Sequence, residues 1–239
     1  MNKVILQMNE LFKTAGFDYA VCGGFAIDMH VGKELREHGD FDIMVFKEDK
    51  YQAIQFLMLN GWDVFGRFME NGAVWQFLFY KVEDITADFW ENCANFWAVK
   101  RESLPNVLQK IDRLQGEVYT YQSRKWHVQD EIEFIELEFD TREKDEYVAR
   151  ANPRIAYPLD KAILKRDGIP YLAPEVILFY KSDRYSSENA YAKPRTEADF
   201  KAILPNLTAE SKKWLLDAIE TTYPDGYDWL EGLLPATFI

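Results

Sequence analysis

Apolar side chains recur at helical spacing at the start of the chain. Val4, Ile5, Met8, Leu11 and Phe12 form one stripe, and Gly16 is placed to stop the helix. DYAVC (18–22) then reads as a short buried strand. Gly23 and Gly24 break it, and FAIDMHV (25–31) reads as a short helix. Gly32 opens a charged loop, KELREHGD, before the β-rich run FDIMVF (41–46). KEDKYQAIQFLMLNG (47–61) predicts an amphipathic helix closed by Gly61. WDVFGRF and AVWQFLFYK flank Met69-Glu70-Asn71-Gly72, and Asn-Gly between two aromatic, β-branched runs is a hairpin signal. Residues 82–116 show no clear period. EVYTYQ, EIEFIELEF and EYVAR predict further strands.

The pattern changes after residue 150. Pro153, Pro158, Pro170 and Pro174 punctuate a connector. APEVILFYKSDR predicts a helix starting near Pro174, where proline suits the first turn. PRTEADFKAIL and LTAESKKWLLDAIETTY predict two more helical segments. The expectation is an α/β (α+β) fold: a small mixed sheet over residues 1–150, then a helical region over 151–239. A ligand crevice between such parts is a natural expectation.

Composition narrows the chemistry. The chain has 239 residues, 48% hydrophobic and 28% charged, a globular balance. Its 40 acidic against 28 basic residues give a net charge of −12, which argues against sequence-independent DNA binding. Two cysteines, Cys22 and Cys93, make neither a disulfide framework nor a four-ligand zinc site. A reduced, cytoplasmic setting is therefore expected. The start of the chain lacks a secretory apolar core, and no run approaches the roughly 18 apolar residues of a membrane span. No Gly-x-Ser-x-Gly is present, and no nucleophile motif places His30, His38 or His127, so a Ser or Cys hydrolase has little support.

The informative stretch runs from Gly23 to Ile43. Asp40 and Asp42 are two apart; on a strand such residues point to one face, with Cα atoms about 7 Å apart. Two carboxylates there can share a hard cation or a pair of cations, and without one their like charges are unfavourable. Phe41 and Ile43 would point to the core. A strand ending in Gly23-Gly24 and entering a helix lets backbone approach a phosphate, whose charge the helix N-terminus favours. Together these are the equipment of phosphoryl or nucleotidyl transfer.

GGFAIDMHVGKELREHGDFDI resembles the aminoglycoside- and lincosamide-type nucleotidyltransferases, a branch of the polymerase-beta-like superfamily whose signature is Gly-Gly or Gly-Ser followed by Asp-x-Asp or Asp-x-Glu. The resemblance is dense over residues 20–46 and returns at GIPYLAPEVILFYKS (168–182) and EADF (197–200). Phe25 stands where many relatives have Trp, and Arg195-Thr196 where many have Lys-Asp. The resemblance implies Mg²⁺ on Asp40 and Asp42, with ATP or another nucleoside triphosphate as substrate. It also implies a third carboxylate on a neighbouring strand, as metal ligand or base. Glu133 aligns best, upstream of Asn152-Pro153-Arg154; Asp88 is the alternative. The implied reaction is in-line attack of an acceptor hydroxyl on the α-phosphorus, releasing pyrophosphate. The expected acceptor is a small hydroxylated molecule; the resemblance implies an aminoglycoside-like one, which a −12 protein could receive as a cation. Transfer to a protein or RNA end and a catalytically silent nucleotide-binding regulatory module are the rivals; the acidic balance and the intact Asp pair weigh against them.

Other residues carry two readings each. Arg36 steadies phosphates or pairs with Glu34 or Glu37. His38 is more simply a hydrogen-bonding brace than a ligand. Asp28, late in its helix, suits a solvated role. Lys181 is a candidate nucleotide contact or a surface lysine, and Glu175 suits the dipole of a first helical turn. Asp199, three after Thr196, has capping-box-like spacing. Trp75, Trp90, Trp97 and Trp126 suit packing first and an acceptor pocket second. The acceptor, the nucleotide's base and the oligomeric state are not written in these residues.

Overall fold

A mixed sheet carries the Asp40–Asp42 segment, and its register decides which side chains meet. The computed structural model describes residues 2–70, 73–93, 95–104, 108–111, 118–121, 131–183 and 192–224. Contacts divide the chain into two units, Met1–Val21 with Glu34–Asp140 and Cys22–Lys33 with Thr141–Ile239. The strands are β1 (Tyr19–Val21), β2 (Phe41–Phe46), β3 (Trp62–Glu70), β4 (Ala73–Phe79), β5 (Asn95–Lys100), β6 (Leu108–Ile111), β7 (Val118–Tyr121) and β8 (Phe134–Glu143). After these come β9 (Glu146–Val148), β10 (Ala156–Pro158), β11 (Ile163–Arg166) and β12 (Ile169–Leu172).

In the first unit the strand order is β1-β2-β8-β5-β3-β4-β7-β6. β2 and β8 run parallel; every other neighbouring pair in this path is antiparallel. β3 and β4 form the expected hairpin, with Glu70 opposite Ala73. One face is apolar: Phe41, Ile43, Val45, Ile135, Leu137, Phe139, Phe96 and Ala98 are all buried. Each such large side chain contributes roughly 1.5–3 kcal/mol relative to exposure. The helix Lys3–Phe12 begins at Asn2, whose side chain accepts from the Val4 N–H, and buries Val4, Ile5, Met8 and Phe12. Phe12 meets Phe56 of the helix Lys50–Leu59 at 5.8 Å between ring centroids. At the start of that helix Lys50 is buried. Its ammonium donates to the Trp90 and Cys93 carbonyls and lies 4.9 Å from the centres of the Phe96 and Phe139 rings. Trp90 is thus part of the packing.

The other face reads differently. Direct strand partners place Asp42, Glu136, Trp97, Phe65 and Leu78 in one row across β2, β8, β5, β3 and β4. Phe65, Leu78, Val99, Tyr119 and Phe134 form a small core there, with Trp97 and Leu104 against it. The carboxylates stand at the end of the row away from Leu78.

Among the described residues of the second unit the helices are Gly23–Val31, the short Leu159–Ala162, Pro174–Lys181, Ala192–Ile203 and Ala209–Thr222. The connector read only as proline-punctuated contains the β11–β12 hairpin, turned at Asp167-Gly168, and β10, which pairs with β9, the strand expected at EYVAR. The helix Pro174–Lys181 buries Val176, Ile177, Leu178 and Phe179. Its Glu175 is buried too, accepting from the Tyr157 hydroxyl at 2.8 Å and the Ser211 hydroxyl at 2.7 Å. Among the described residues no helix is long and apolar enough to cross a membrane.

The helix Gly23–Val31 ends on Gly32, whose φ of 86° is left-handed and whose N–H donates to the Asp28 carbonyl at 2.8 Å. The Arg166 guanidinium closes this end, donating to the Met29 carbonyl, where a cation suits the helix dipole. A Cβ at residue 32 would stand 2.6 Å from the Arg166 Nη2. Gly32→Ala should therefore cost the backbone penalty of about 1–2 kcal/mol and also displace Arg166. Gly61→Ala, at a φ of 84° with open space around its Cβ, should cost the backbone part alone. Urea unfolding of the two variants separates these contributions; equal losses would mean that Arg166 yields freely.

Candidate active site

β2 positions Asp42 and leaves Asp40 just before its first residue, two positions away. Parallel pairing sets Asp42 directly opposite Glu136 on β8. One carboxylate oxygen from each of Asp40, Asp42 and Glu136 lies within 4.8 Å of the others, and all three residues are partly exposed. Among the described residues this is the group of His, Cys and acidic side chains able to share an ion.

Glu136 is surrounded by opposing influences. Burial pushes its carboxyl up to about 8, and the charges of Glu138 and Asp40 add to that rise. The Trp97 indole and the Arg67 charge act the other way. The Asn95 side-chain amide donates a hydrogen bond to the Glu136 Oε1. A set of three crowded carboxylates, one of which resists ionisation, is a site that a cation would stabilise. The donors are all oxygen, the set preferred by Mg²⁺ or Mn²⁺ over softer metals. An octahedral ion with bonds near 2.0–2.1 Å holds adjacent ligand oxygens about 3 Å apart and opposite ones about 4 Å apart, so the three carboxylates would draw in around it from the observed spacing.

The structure brings together Asp40 and Asp42 from the expected set, and adds Glu136. Glu133 lies elsewhere: its Oε1 accepts from the Ser103 hydroxyl at 2.8 Å, just before β8 begins. Glu131 pairs with Lys100 at 3.7 Å. The side chain of Asp88 and all of Trp126 lie outside the described residues. The missed signal was a change of phase. In EIEFIELEF the apolar positions alternate through Ile132 and Phe134, then double at Phe134-Ile135. Beyond that step Glu136 and Glu138 occupy the face that pairs with Asp42 and Met44.

The Arg36 guanidinium donates to the Glu37 carbonyl at 3.3 Å and meets the His38 Nδ1 at 3.2 Å. His38 is buried and acts as the brace expected of it. In the second unit, Gly23 and Gly24 are the first residues of their helix. Cys22, at the cap position, does not cap the helix with its side chain, and the first turn holds no acidic residue. Backbone N–H groups at such an end suit an anion. Lys181 forms a 3.1 Å ion pair with Asp199, which is nearly fully buried. Asp199 thus orients the lysine. A separate cavity in the first unit is lined by Trp62, Asp63, Phe79, Tyr80, Arg101 and Tyr119 among others, and contains none of the three clustered carboxylates.

Residues 4–68 match the family model of aminoglycoside-2''-adenylyltransferase. No curated protein matches the chain. In structure, the chain is similar to the antibiotic-resistance factor ANT(2'')-Ia, at 14% identity and a TM-score of 0.49, over 95% of this chain and 93% of that one. It is also similar to the lincosamide antibiotic adenylyltransferase LnuA, at 15% identity and a TM-score of 0.43, over 83% and 98%. A nucleotidyltransferase-like protein from Paracoccidioides brasiliensis shows 17% identity and a TM-score of 0.36, over 96% and 89%. Residues 4–68, with Gly23, Gly24, Asp40 and Asp42 among them, are thus the part of the chain that is similar to the aminoglycoside-2''-adenylyltransferases.

Proposed function

We propose that the protein is a magnesium-dependent nucleotidyltransferase that moves AMP from ATP onto a hydroxyl of a small, aminoglycoside-like acceptor. The observation that carries this reading is the convergence of Asp40, Asp42 and Glu136. These three would hold the divalent cation, which when bound supplies positive charge for the triphosphate oxygens. Glu136 would also serve as the general base that takes the proton of the acceptor hydroxyl. A bond then forms between the acceptor oxygen and the α-phosphorus, and the bond to the bridging oxygen breaks, releasing pyrophosphate.

The chain's other candidates take supporting roles in the same proposal. In the first unit Arg36, which meets His38, would lend positive charge to the nucleotide. In the second unit the N–H groups at Gly23 and Gly24 suit a phosphate, and Lys181, held by Asp199, is a cation suited to the same chemistry. The acceptor class is supported by the name of the matched family and by the net charge of −12, which favours a cationic partner.

The test is a transfer assay with α-³²P-labelled nucleoside triphosphates, MgCl₂, and amino-sugar or lincosamide-type acceptors. Label should pass to an acceptor, with one pyrophosphate released per transfer, and EDTA should stop it. Absence of transfer for every nucleotide and acceptor pair, with folded protein and magnesium present, would refute the assignment.

A further inference from the structure

Glu136 lies in an awkward position. On β8 it has Glu138 two residues along the same face, and Asp40 and Asp42 face it from the neighbouring strand. Like charges at such spacing repel, and a flexible glutamate can relieve the repulsion by rotating away from the aspartates. A carboxylate that must serve a reaction needs something to hold it, because an error of about 1 Å in placement can cost 10²-fold in rate.

β5 provides the hold. It runs antiparallel beside β8, with Asn95 directly opposite Glu138 and Trp97 directly opposite Glu136. Asn95 is therefore the diagonal neighbour of Glu136 on the shared face, within reach of a long side chain. Its amide donates to the Glu136 Oε1. Asn95 is itself fixed: it is 6% exposed, and its carbonyl accepts from the Cys93 thiol at 2.8 Å. A neutral amide donates here without adding charge, which neither a lysine nor an acidic side chain could do. A carboxylate has lone pairs enough to accept from Asn95 and still face a cation.

We propose that Asn95 is a positioning residue of the active site, which holds the Glu136 carboxylate toward Asp40 and Asp42 through the hydrogen bond from its side-chain amide. The proposal rests on the assignment of Glu136 as the third acid, made above. Groups that orient metal ligands in this way typically carry 10–100-fold in metal affinity or activity. Trp97 closes the same side of Glu136, and its ring packs edge-on against Phe134 at 4.8 Å between centroids. Rotation in that direction is therefore limited by packing, while Asn95 supplies the polar restraint.

The experiment uses the full chain and titrates MnCl₂, followed by the electron paramagnetic resonance of the free ion. Asn95→Ala is expected to weaken Mn²⁺ binding about 10–100-fold and to lower the transfer rate at saturating nucleotide, with nucleotide KM little changed. Asn95→Ser keeps a shorter donor and should lie between Asn95→Ala and wild type; it also carries the test should the alanine variant fail to fold. Asn95→Ala within twofold of wild type in Mn²⁺ affinity would overturn the proposal, as would Asn95→Ser within twofold should the alanine variant fail to fold. Glu136→Gln separates the two layers. Should Glu136→Gln bind Mn²⁺ as wild type does, or wild type bind none, the third-acid assignment falls and the role of Asn95 falls with it. Should Glu136→Gln lose Mn²⁺ while the Asn95 variants keep it, Asn95 alone is wrongly assigned.

Discussion

Asp40→Ala and Asp42→Ala should each reduce nucleotidyl transfer by about 10³-fold or more, while the protein stays folded. The size follows from what the pair would do. Charge stabilisation by a bound divalent ion is worth several kcal/mol in a phosphoryl transition state, and about 4 kcal/mol is a factor of 10³. The fold should tolerate both changes, because both side chains are partly exposed and belong to a group of like charges. Removing one negative charge relieves repulsion with Glu136. The variants should therefore unfold in urea at or above the wild-type midpoint when a chelator is present. Loss of activity with raised or unchanged metal-free stability is the signature of a site built for a cation. Full activity in either variant would remove the basis of the proposed reaction, and a collapse of stability would make the pair structural.

The aspartate pair was legible because it needs only local geometry. Residues two apart on a strand share a face, and Phe41 and Ile43 on the other face declare which side is core. The hairpin of β3 and β4 was legible for a similar reason, since Asn71-Gly72 interrupts two alternating runs. The third carboxylate depends instead on pairing between residues almost a hundred positions apart. EIEFIELEF offers four glutamates, and only the parallel register with β2 selects Glu136. The β11–β12 hairpin had its own signal in Asp167-Gly168, where both residues adopt positive φ. Pro170 masked it, because proline inside a short run argues against a strand.

The helix Gly23–Val31 shows another limit of local pattern. Its residues Gly24 to Met29 are all buried, Asp28 included, so it has no polar stripe from which to infer an orientation. Composition placed a boundary after residue 150. Contacts group Cys22–Lys33 with Thr141–Ile239, nesting a short piece of the early chain among later elements. Such nesting leaves no trace in hydrophobic periodicity, which records that a helix is covered and not by what.

Glu136→Gln and Glu133→Gln should behave as opposites, although the two residues are three positions apart. Loss of a general base typically costs 10²–10⁴-fold, and Glu136→Gln should show a loss of that order. Glu133, bonded to the Ser103 hydroxyl away from the aspartates, should keep activity within about twofold when changed to Gln, because an amide oxygen still accepts that bond. Stability against pH gives an independent reading. The Glu136 carboxyl is pushed up to about 8 in the folded chain, from an ordinary value of 4.5. Between those values the unfolded chain releases the proton and the folded chain keeps it. The contribution of Glu136 to the stability of the metal-free protein must then fall as pH rises from about 4.5 to 8. Glu136→Gln, which never ionises, should flatten part of that slope, and Glu133→Gln should leave it as in wild type. Thermal unfolding in EDTA across that range measures both. A saturating divalent cation favours the ionised carboxylates and should oppose the decline in wild type. Parallel slopes for wild type and Glu136→Gln would mean that this carboxyl ionises normally in the metal-free fold, and that the crowding of Asp40, Asp42 and Glu136 leaves no mark on stability.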